Sequence, residues 1–309
     1  MSKPAESHYV VPRELADAPL DRTLRGWLAD KSWNDVRQFI STGKVRVDGR
    51  VELDSRTRVQ PGQRIEYVAN APRPRAPGVS KSALVYVDSQ VVVVEKPAHV
   101  SSVAFDENER NTLDEQVARL LAELERQKRP PLGVVHRLDK ETTGLLVYAR
   151  TLPAKRSLKN QFRFHTVKRR YYAICEGHLP SQTLASRLVQ DRGDGRRGST
   201  ENPELGREAI THVRLLERLA GASLLECRLE TGRTHQIRIH LSEVGHPLIG
   251  ERVYRRNKAE DRQGGGTRVM LHAFELGFEH PSSGKPLHFE SPMPEDMAQL
   301  YERLRQPRR

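Results

Sequence analysis

A run of eight residues decides how this chain can fold. Ala71-Pro72-Arg73-Pro74-Arg75-Ala76-Pro77-Gly78 holds too much proline and too little apolar matter to pack. No core can run through it. The chain therefore divides into two folding units, as its 309 residues also suggest. The reading places a small domain at 12–70, a linker at 71–82 and a larger domain at 83–309.

In the small domain Leu20, Leu24, Trp27 and Leu28 follow helical spacing. Asn34 is the expected cap of a second helix with Val36, Phe39 and Ile40, ended by Gly43. Lys44 to Val51 alternates around Asp48-Gly49, a strong hairpin signal. Pro61-Gly62 turns the chain before a strand at 64–68. The expectation is two helices on a small sheet, with basic residues on the exposed faces.

In the larger domain strands are expected at 84–87, 91–95, 170–176 and 223–230. Leu113, Val117, Leu120, Leu121 and Leu124 share one face of a helix over 113–127, with Thr112 and Glu115 as its capping box. Ala154, Leu158 and Phe162 mark another helix, and Met297, Leu300, Tyr301 and Leu304 a last one. Residues 191–207 are rich in Gly, Arg and Glu without a period and read as a long mobile loop. Strands outnumber helices and do not alternate with them. The fold class expected is α+β with a mainly antiparallel, mixed sheet.

Charge narrows the partners. A net charge of +12 and a pI near 9.9 favour polyanions, nucleic acid first and an anionic membrane surface second. No apolar run approaches the roughly 20 residues that span a bilayer. Residues 1–10 lack the apolar core of a signal peptide. Cys175 and Cys227 fall in strands and read as buried reduced thiols. The expectation is a cytoplasmic protein that meets nucleic acid and no membrane.

Three clusters can carry chemistry. The first is Val135-His136-Arg137-Leu138-Asp139-Lys140-Glu141-Thr142-Thr143-Gly144, with Asp139 between a basic pair and a Thr-Thr-Gly turn. A lone Asp there more often caps a helix or pairs with an arginine. The second is Thr231-Gly232-Arg233-Thr234-His235-Gln236-Ile237-Arg238, where Thr234 is the expected helix cap. Arg233 and Arg238, five residues apart, would take different faces of that helix. One can pair with Asp139 while the other meets phosphate; a solvated helix start is the plainer reading. The third is Lys168-Arg169-Arg170-Tyr171-Tyr172, whose tyrosines lie on opposite faces of a strand. One packs in the core, and the other can stack on a base. His235, His240 and His246 lack a metal-binding spacing, so no metal is expected. Neither a phosphate-binding glycine loop nor a dinucleotide fingerprint is present, so no cofactor is expected. His136 and His272 read as hydrogen-bonded structural groups.

Taken together in order and spacing, these clusters resemble the RluA-type pseudouridine synthases. Lys96-Pro97, Gly245-His246-Pro247-Leu248-Ile249-Gly250, Leu271-His272-Ala273 and His280-Pro281-Ser282-Ser283-Gly284 strengthen the resemblance. The small domain is similar to the RNA-binding domain of ribosomal small-subunit protein four. The resemblance implies conversion of a chosen uridine in RNA to pseudouridine. It implies Asp139 as the catalytic carboxylate and Arg238 as its basic partner. It implies Tyr171 as the tyrosine that stacks on the target base and can act in proton removal. It implies Arg137 as the side chain that can fill the space of a flipped base. Arg233, Lys168, Arg169, Lys44, Arg46 and Arg37 are the other expected RNA contacts. The implied substrate is large-subunit ribosomal RNA. Transfer RNA, or a non-catalytic RNA-binding or ribosome-assembly role on the same fold, are the alternatives.

The chemistry suits these residue types. Uracil leaves as a delocalised anion, so no metal is needed to activate it. The ribose end needs an ionised carboxylate, as nucleophile at the anomeric carbon or base at its neighbour. A close arginine favours the charged form of such a carboxylate. Departures occur at His99, where the family usually has Gly, and at Glu251, where it usually has Asp. They are expected to alter loop shape and RNA contacts without touching Asp139, Tyr171 or Arg238. Two geometric expectations follow. Arg238, rather than Arg233, reaches the Asp139 carboxylate, and Tyr171, rather than Tyr172, faces the same cleft.

Overall fold

The computed structural model describes residues 7–53, 55, 57–71, 79–105, 109–126, 128, 132–193, 195–255 and 268–305. The chain separates into two compact units, Met1–Pro77 and Gly78–Arg309. The core of the expected linker, 72–78, lies outside the described residues.

The first unit runs β1 (Ser7–Val10), β2 (Ala18–Pro19), α1 (Leu20–Trp27), α2 (Trp33–Ser41), β3 (Val45–Val47), β4 (Arg50–Val51), β5 (Arg58–Val59) and β6 (Arg64–Tyr67). Strands β1, β6, β3 and β4 form one sheet in that order, and β2 pairs with β5. Leu20 and Leu24 of α1 and Val36 and Ile40 of α2 close the core against Val45, Val59 and Ile65. The cap of α2 is Ser32, not Asn34. The Ser32 hydroxyl accepts from the Asp35 amide at 3.1 Å, and the Asp35 carboxylate accepts from the Ser32 amide at 2.9 Å. That reciprocal pair needs an acceptor side chain three residues on; Ser32 has Asp35, whereas Asn34 has Arg37. Asp48 and Gly49, at φ 49° and 76°, make the two-residue turn that pairs Val47 with Arg50.

The second unit opens with β7 (Leu84–Val87), β8 (Val91–Lys96), α3 (Leu113–Glu125), β9 (Gly133–Val134), β10 (Thr143–Ala149) and α4 (Leu152–Arg163). It continues through β11 (Lys168–Glu176), β12 (Gln182–Val189), β13 (Gly198–Thr200), β14 (Arg207–Leu219) and β15 (Ala222–Leu229). It ends with α5 (Gln236–Glu243), β16 (Leu271–Glu279), β17 (Pro286–Glu290) and α6 (Glu295–Arg305). Among the described residues these strands make one sheet in the order β13-β12-β14-β15-β11-β16-β10-β8-β7, with β17 beside β16 and β9 beside β10. Among the described residues only β10 and β16 pair in parallel. The fold is thus α+β with a mostly antiparallel sheet, as the sequence predicts.

Alternation along β10 feeds two cores. Leu146 and Tyr148 join Leu113, Val117 and Leu121 of α3, Ile237 and Leu241 of α5, and Tyr171 of β11. Leu145, Val147 and Ala149 meet Ala154 and Leu158 of α4. Met297, Leu300 and Leu304 of α6 pack on Ile174 and Leu224. Both cysteines are free and buried.

Two local expectations need correction. Thr112 precedes α3 but makes no capping bond; its hydroxyl bonds Asp114, and Glu115 accepts from the Asn111 amide instead. The segment 191–207 is not all loop, because Gly198–Thr200 pairs with β12. Glu243 of α5 holds it there, accepting from the Ser199 amide at 2.8 Å and hydroxyl at 2.5 Å. No local periodicity reports such a distant partner.

Candidate active site

Asp139 sits in the loop between β9 and β10, and the loop is pinned on both sides. Before it, the Ser102 hydroxyl accepts from the Leu138 amide at 3.0 Å and donates to the Leu138 carbonyl at 2.8 Å. After it, the buried Lys96 ammonium donates to the carbonyls of Lys140, Pro97 and Val100 at 3.0, 2.8 and 2.8 Å. Burial pulls the Lys96 amine down to about 7, against the opposing charge of Asp139. The loop then enters β10 at Thr143-Gly144, in parallel register with His272-Ala273. Gly144 has φ 113°, and a Cβ there would lie 2.2 Å from the Ala273 carbonyl oxygen. The Thr-Thr-Gly signal is therefore a backbone requirement. The side chains of Thr143 and His272 meet at 2.9 Å beside it.

His136 is scaffold. Its Nε2 accepts from the Val147 amide at 3.1 Å, and its ring stacks on Phe162 at 4.5 Å. Burial, aided by Arg169, pushes the imidazole down to about 3, so it stays neutral.

A cleft of about 750 Å³ opens over Asp139. Tyr171, Arg137, Arg169, Arg233 and Arg238 line it, joined by Lys159 and Arg163 of α4. Tyr172 faces the other way and stacks on Phe274 with centroids 3.9 Å apart. A register shift between Arg170 and Tyr171 leaves Phe274 as the extra residue on β16. Burial raises the Tyr171 phenol above its ordinary value, so it keeps its proton at neutral pH.

Arg238, not Arg233, reaches Asp139, with Nη1 3.7 Å from Oδ2. It is buried, and its firmest partner is Glu251, which takes Nε at 2.7 Å and Nη2 at 3.0 Å. Burial alone would lower the guanidinium; the Glu251 bonds and the Asp139 charge outweigh it and leave it raised. The expectation that the Glu251 departure would leave Arg238 untouched is thus wrong. Sequence spacing gave no signal, because Glu251 lies thirteen residues beyond Arg238 across a turn. Asp139 has a second neighbour the sequence reading passed over: His235 Nε2 stands 3.8 Å from Oδ1.

The helix start also differs from expectation. α5 begins at Gln236, with His235 at φ 59° in the cap position. Thr234 does not cap; its hydroxyl accepts from Arg137 Nη2 at 2.8 Å, tying the first cluster to the second. Arg233 therefore precedes the helix rather than lying on it, and its Nε donates to the Glu208 carbonyl at 2.9 Å. The buried Gln236 amide braces this turn, bonding Thr231, the Arg233 amide, Ile210 and Thr211.

The expected RNA contacts divide. Arg137 is exposed at the cleft and Lys168 is exposed at the start of β11. Arg169 lines the cleft but is buried, with its guanidinium 5.5 Å over the Phe162 ring. In the first unit Lys44 and Arg46 are half-buried rather than fully exposed, because Lys44 lies 5.6 Å over the Phe39 ring and the Arg46 Nε is shielded from solvent. Arg37 is held by Asp21 at 2.9 Å. His99 stands at φ 63°, a left-handed conformation that glycine adopts without steric cost.

Away from the cleft, Glu275, His288 and Glu290 present ligand atoms within 4.8 Å of one another. Arg170 already holds Glu275 at 2.5 Å, and His288 meets it at 3.0 Å, so the group reads as an ionic network. No helix among the described residues is long and apolar enough to cross a membrane.

A carboxylate, a phenol kept neutral by burial and several cations line one cleft, a set that suits a polyanionic, base-bearing ligand. Comparison makes the class specific. The family described as RNA pseudouridylate synthase matches residues 90–243. A ribosomal large subunit pseudouridine synthase D of Neisseria meningitidis is 38% identical, covering 96% of this chain and 81% of that protein. A protein of the same name from Zymomonas mobilis is 36% identical over 94% and 95%. An uncharacterized RNA pseudouridine synthase of Bacillus subtilis is 35% identical over 93% and 94%. Among solved structures, human RNA pseudouridylate synthase domain containing 1 aligns with TM-score 0.55 and 25% identity over 73% of this chain and 95% of that one. The human domain containing 4 aligns with TM-score 0.61 at 23% identity over 72% and 93%, which speaks for the fold. This chain belongs to the RluA-type RNA pseudouridine synthase family. It is an isomerase whose substrate is RNA.

Proposed function

We propose that the enzyme isomerises specific uridines of large-subunit ribosomal RNA in the cytoplasm, with Asp139 as the catalytic carboxylate. The observation that carries this reading is the convergence of Asp139, Tyr171 and Arg238, from three distant segments, on one cation-lined cleft. The names of the bacterial relatives support the ribosomal substrate.

The reaction conserves atoms. The bond from the anomeric carbon to N1 breaks, a bond to C5 forms, the C5 proton leaves and N1 ends protonated. Asp139 acts at the sugar, as nucleophile on the anomeric carbon or as base at its neighbour. Arg238 balances its charge, and Tyr171 offers an aromatic face to the uracil. Arg137, exposed at the rim, fills the stack that the flipped base leaves, offsetting a flipping cost of a few kcal/mol. The first unit adds phosphate contacts through Lys44, Arg46 and Arg37, while Arg233, Lys168 and Arg169 serve the RNA near the cleft.

The test is tritium release from RNA labelled at C5 of uridine, using ribosomal and transfer RNA side by side. Release from large-subunit ribosomal RNA by the wild type, and none by Asp139→Asn, is expected. Release from transfer RNA alone would overturn the substrate assignment. A fully active Asp139→Asn protein would overturn the role of Asp139. No release from any RNA by well-folded protein would favour a binding role instead.

A further inference from the structure

Two nitrogens face the Asp139 carboxylate, and neither is in hydrogen-bond contact with it. Arg238 Nη1 stops 3.7 Å from Oδ2 and His235 Nε2 stops 3.8 Å from Oδ1. Both are held back from behind, and by the same short turn. Glu251 takes two of the Arg238 nitrogens. The Tyr254 hydroxyl meets His235 Nδ1 at 2.6 Å. The Tyr254 ring also lies 5.5 Å beneath the Arg238 guanidinium and 5.5 Å from the His235 ring, edge on.

The turn is itself braced by hydrogen bonds. Glu251 is buried, and its Oε1 accepts from the amides of Arg252 and Val253 at 3.0 and 2.8 Å, and from that of Tyr254 at 3.3 Å. Its path is set by Gly250 at φ 85°, where a Cβ would lie 1.9 Å from the Arg268 carbonyl oxygen.

We propose that Glu251 and Tyr254 are positioning residues for the isomerisation, setting how tightly Arg238 and His235 engage Asp139. The inference rests on Asp139 being the catalytic carboxylate. A guanidinium freed from Glu251 would fork onto Asp139 through two nitrogens, because bidentate arginine–carboxylate pairing is the favoured geometry. A carboxylate gripped in that fork is a poorer nucleophile and a poorer base. Glu251 therefore keeps Arg238 close enough to balance the charge while leaving the Asp139 lone pairs available. On the other side, Tyr254 fixes the tautomer of His235. Burial pushes the Tyr254 phenol up to about 12, so it keeps its proton and donates to Nδ1. The imidazole, held neutral by burial, then carries its own proton on Nε2, toward Asp139.

The experiment compares single-turnover tritium release at saturating RNA with RNA affinity and thermal midpoint, for Tyr254→Phe, Glu251→Gln and Glu251→Asp. Tyr254→Phe deletes one oxygen and keeps the ring stack. Its rate is expected to fall about tenfold or more, as for a catalytic group displaced by a fraction of an ångström, with RNA affinity unchanged. Glu251→Gln is expected to fall likewise, and Glu251→Asp to recover most of the rate. A wild-type rate in Tyr254→Phe, or losses in rate matched by equal losses in affinity, would overturn the inference. Asp139→Asn runs alongside. If it is active, the catalytic reading fails. If it is inactive while Tyr254→Phe and Glu251→Gln turn over normally, the positioning inference alone fails.

Discussion

Replacing Gly144 by alanine tests whether the active-site loop depends on one backbone contact. The new Cβ would stand 2.2 Å from the Ala273 carbonyl oxygen and 2.7 Å from the Ala273 nitrogen, where ordinary contacts begin at 3.4 Å. The obstacle is backbone, so no side chain can swing away to relieve it. Strands β10 and β16 would have to part by about 1 Å, enough to weaken their hydrogen bonds. Residue 144 also pairs with Lys96, so the same wedge disturbs the ammonium that pins the loop after Asp139. Holding an alanine at φ 113° adds strain of about 1–3 kcal/mol. Overpacking adds roughly another 1–3 kcal/mol. The sum is about 2–6 kcal/mol, or a fall in thermal midpoint of roughly 4–24 °C for a domain of this size. Differential scanning calorimetry measures it, with tritium release at low temperature as the second readout. Ala273→Gly in the same chain should restore nothing, because the clash is with the backbone of residue 273. A Gly144→Ala protein with an unchanged midpoint and full activity would refute the reasoning.

Three further outcomes are expected. Arg238→Lys keeps a charge but not the planar fork, so it cannot serve Glu251 and Asp139 together; single-turnover release should fall by about tenfold or more. Burial holds His272 down at about 4 from 6.5. The unfolded chain therefore takes up that proton first. Stability is full above pH 6.5 and falls as pH drops toward 4, by at most about 3 kcal/mol. Urea midpoints across that range should show the slope, and His272→Gln should lessen it, leaving the part that buried His136 contributes. In a salt series of RNA binding, Lys44→Ala should lower the slope of log affinity by roughly one. Arg37→Ala should lower it less, because Asp21 already neutralises that guanidinium.

Much of the architecture was legible because it is local. The Asp48-Gly49 hairpin, the face shared by Leu113, Val117 and Leu121, and the buried strand after Gly144 are all set within a few residues. Turn chemistry and hydrophobic period report such features directly. The cap of α2 was misplaced by two residues because Asn34 is a good cap in general, while Ser32 has the reciprocal partner here.

The site was legible in part. The sequence by itself determined which residue types were available: one carboxylate on a turn, two tyrosines of opposite facing, and two arginines around a helix start. It also marked Gly144 as a turning point. Only the tertiary structure decided which members meet. Alternation along β11 put Tyr171 and Tyr172 on opposite faces, and the layer of α3 and α5 decided which face lies under the cleft. The start of α5 at Gln236 moved Arg233 off the helix and aimed Arg238 at Asp139. The Glu251–Tyr254 turn escaped the sequence reading because its partners lie thirteen and nineteen residues away. Such contacts are chosen by packing and by the need to pair buried charge, and neither leaves a periodic trace in the chain.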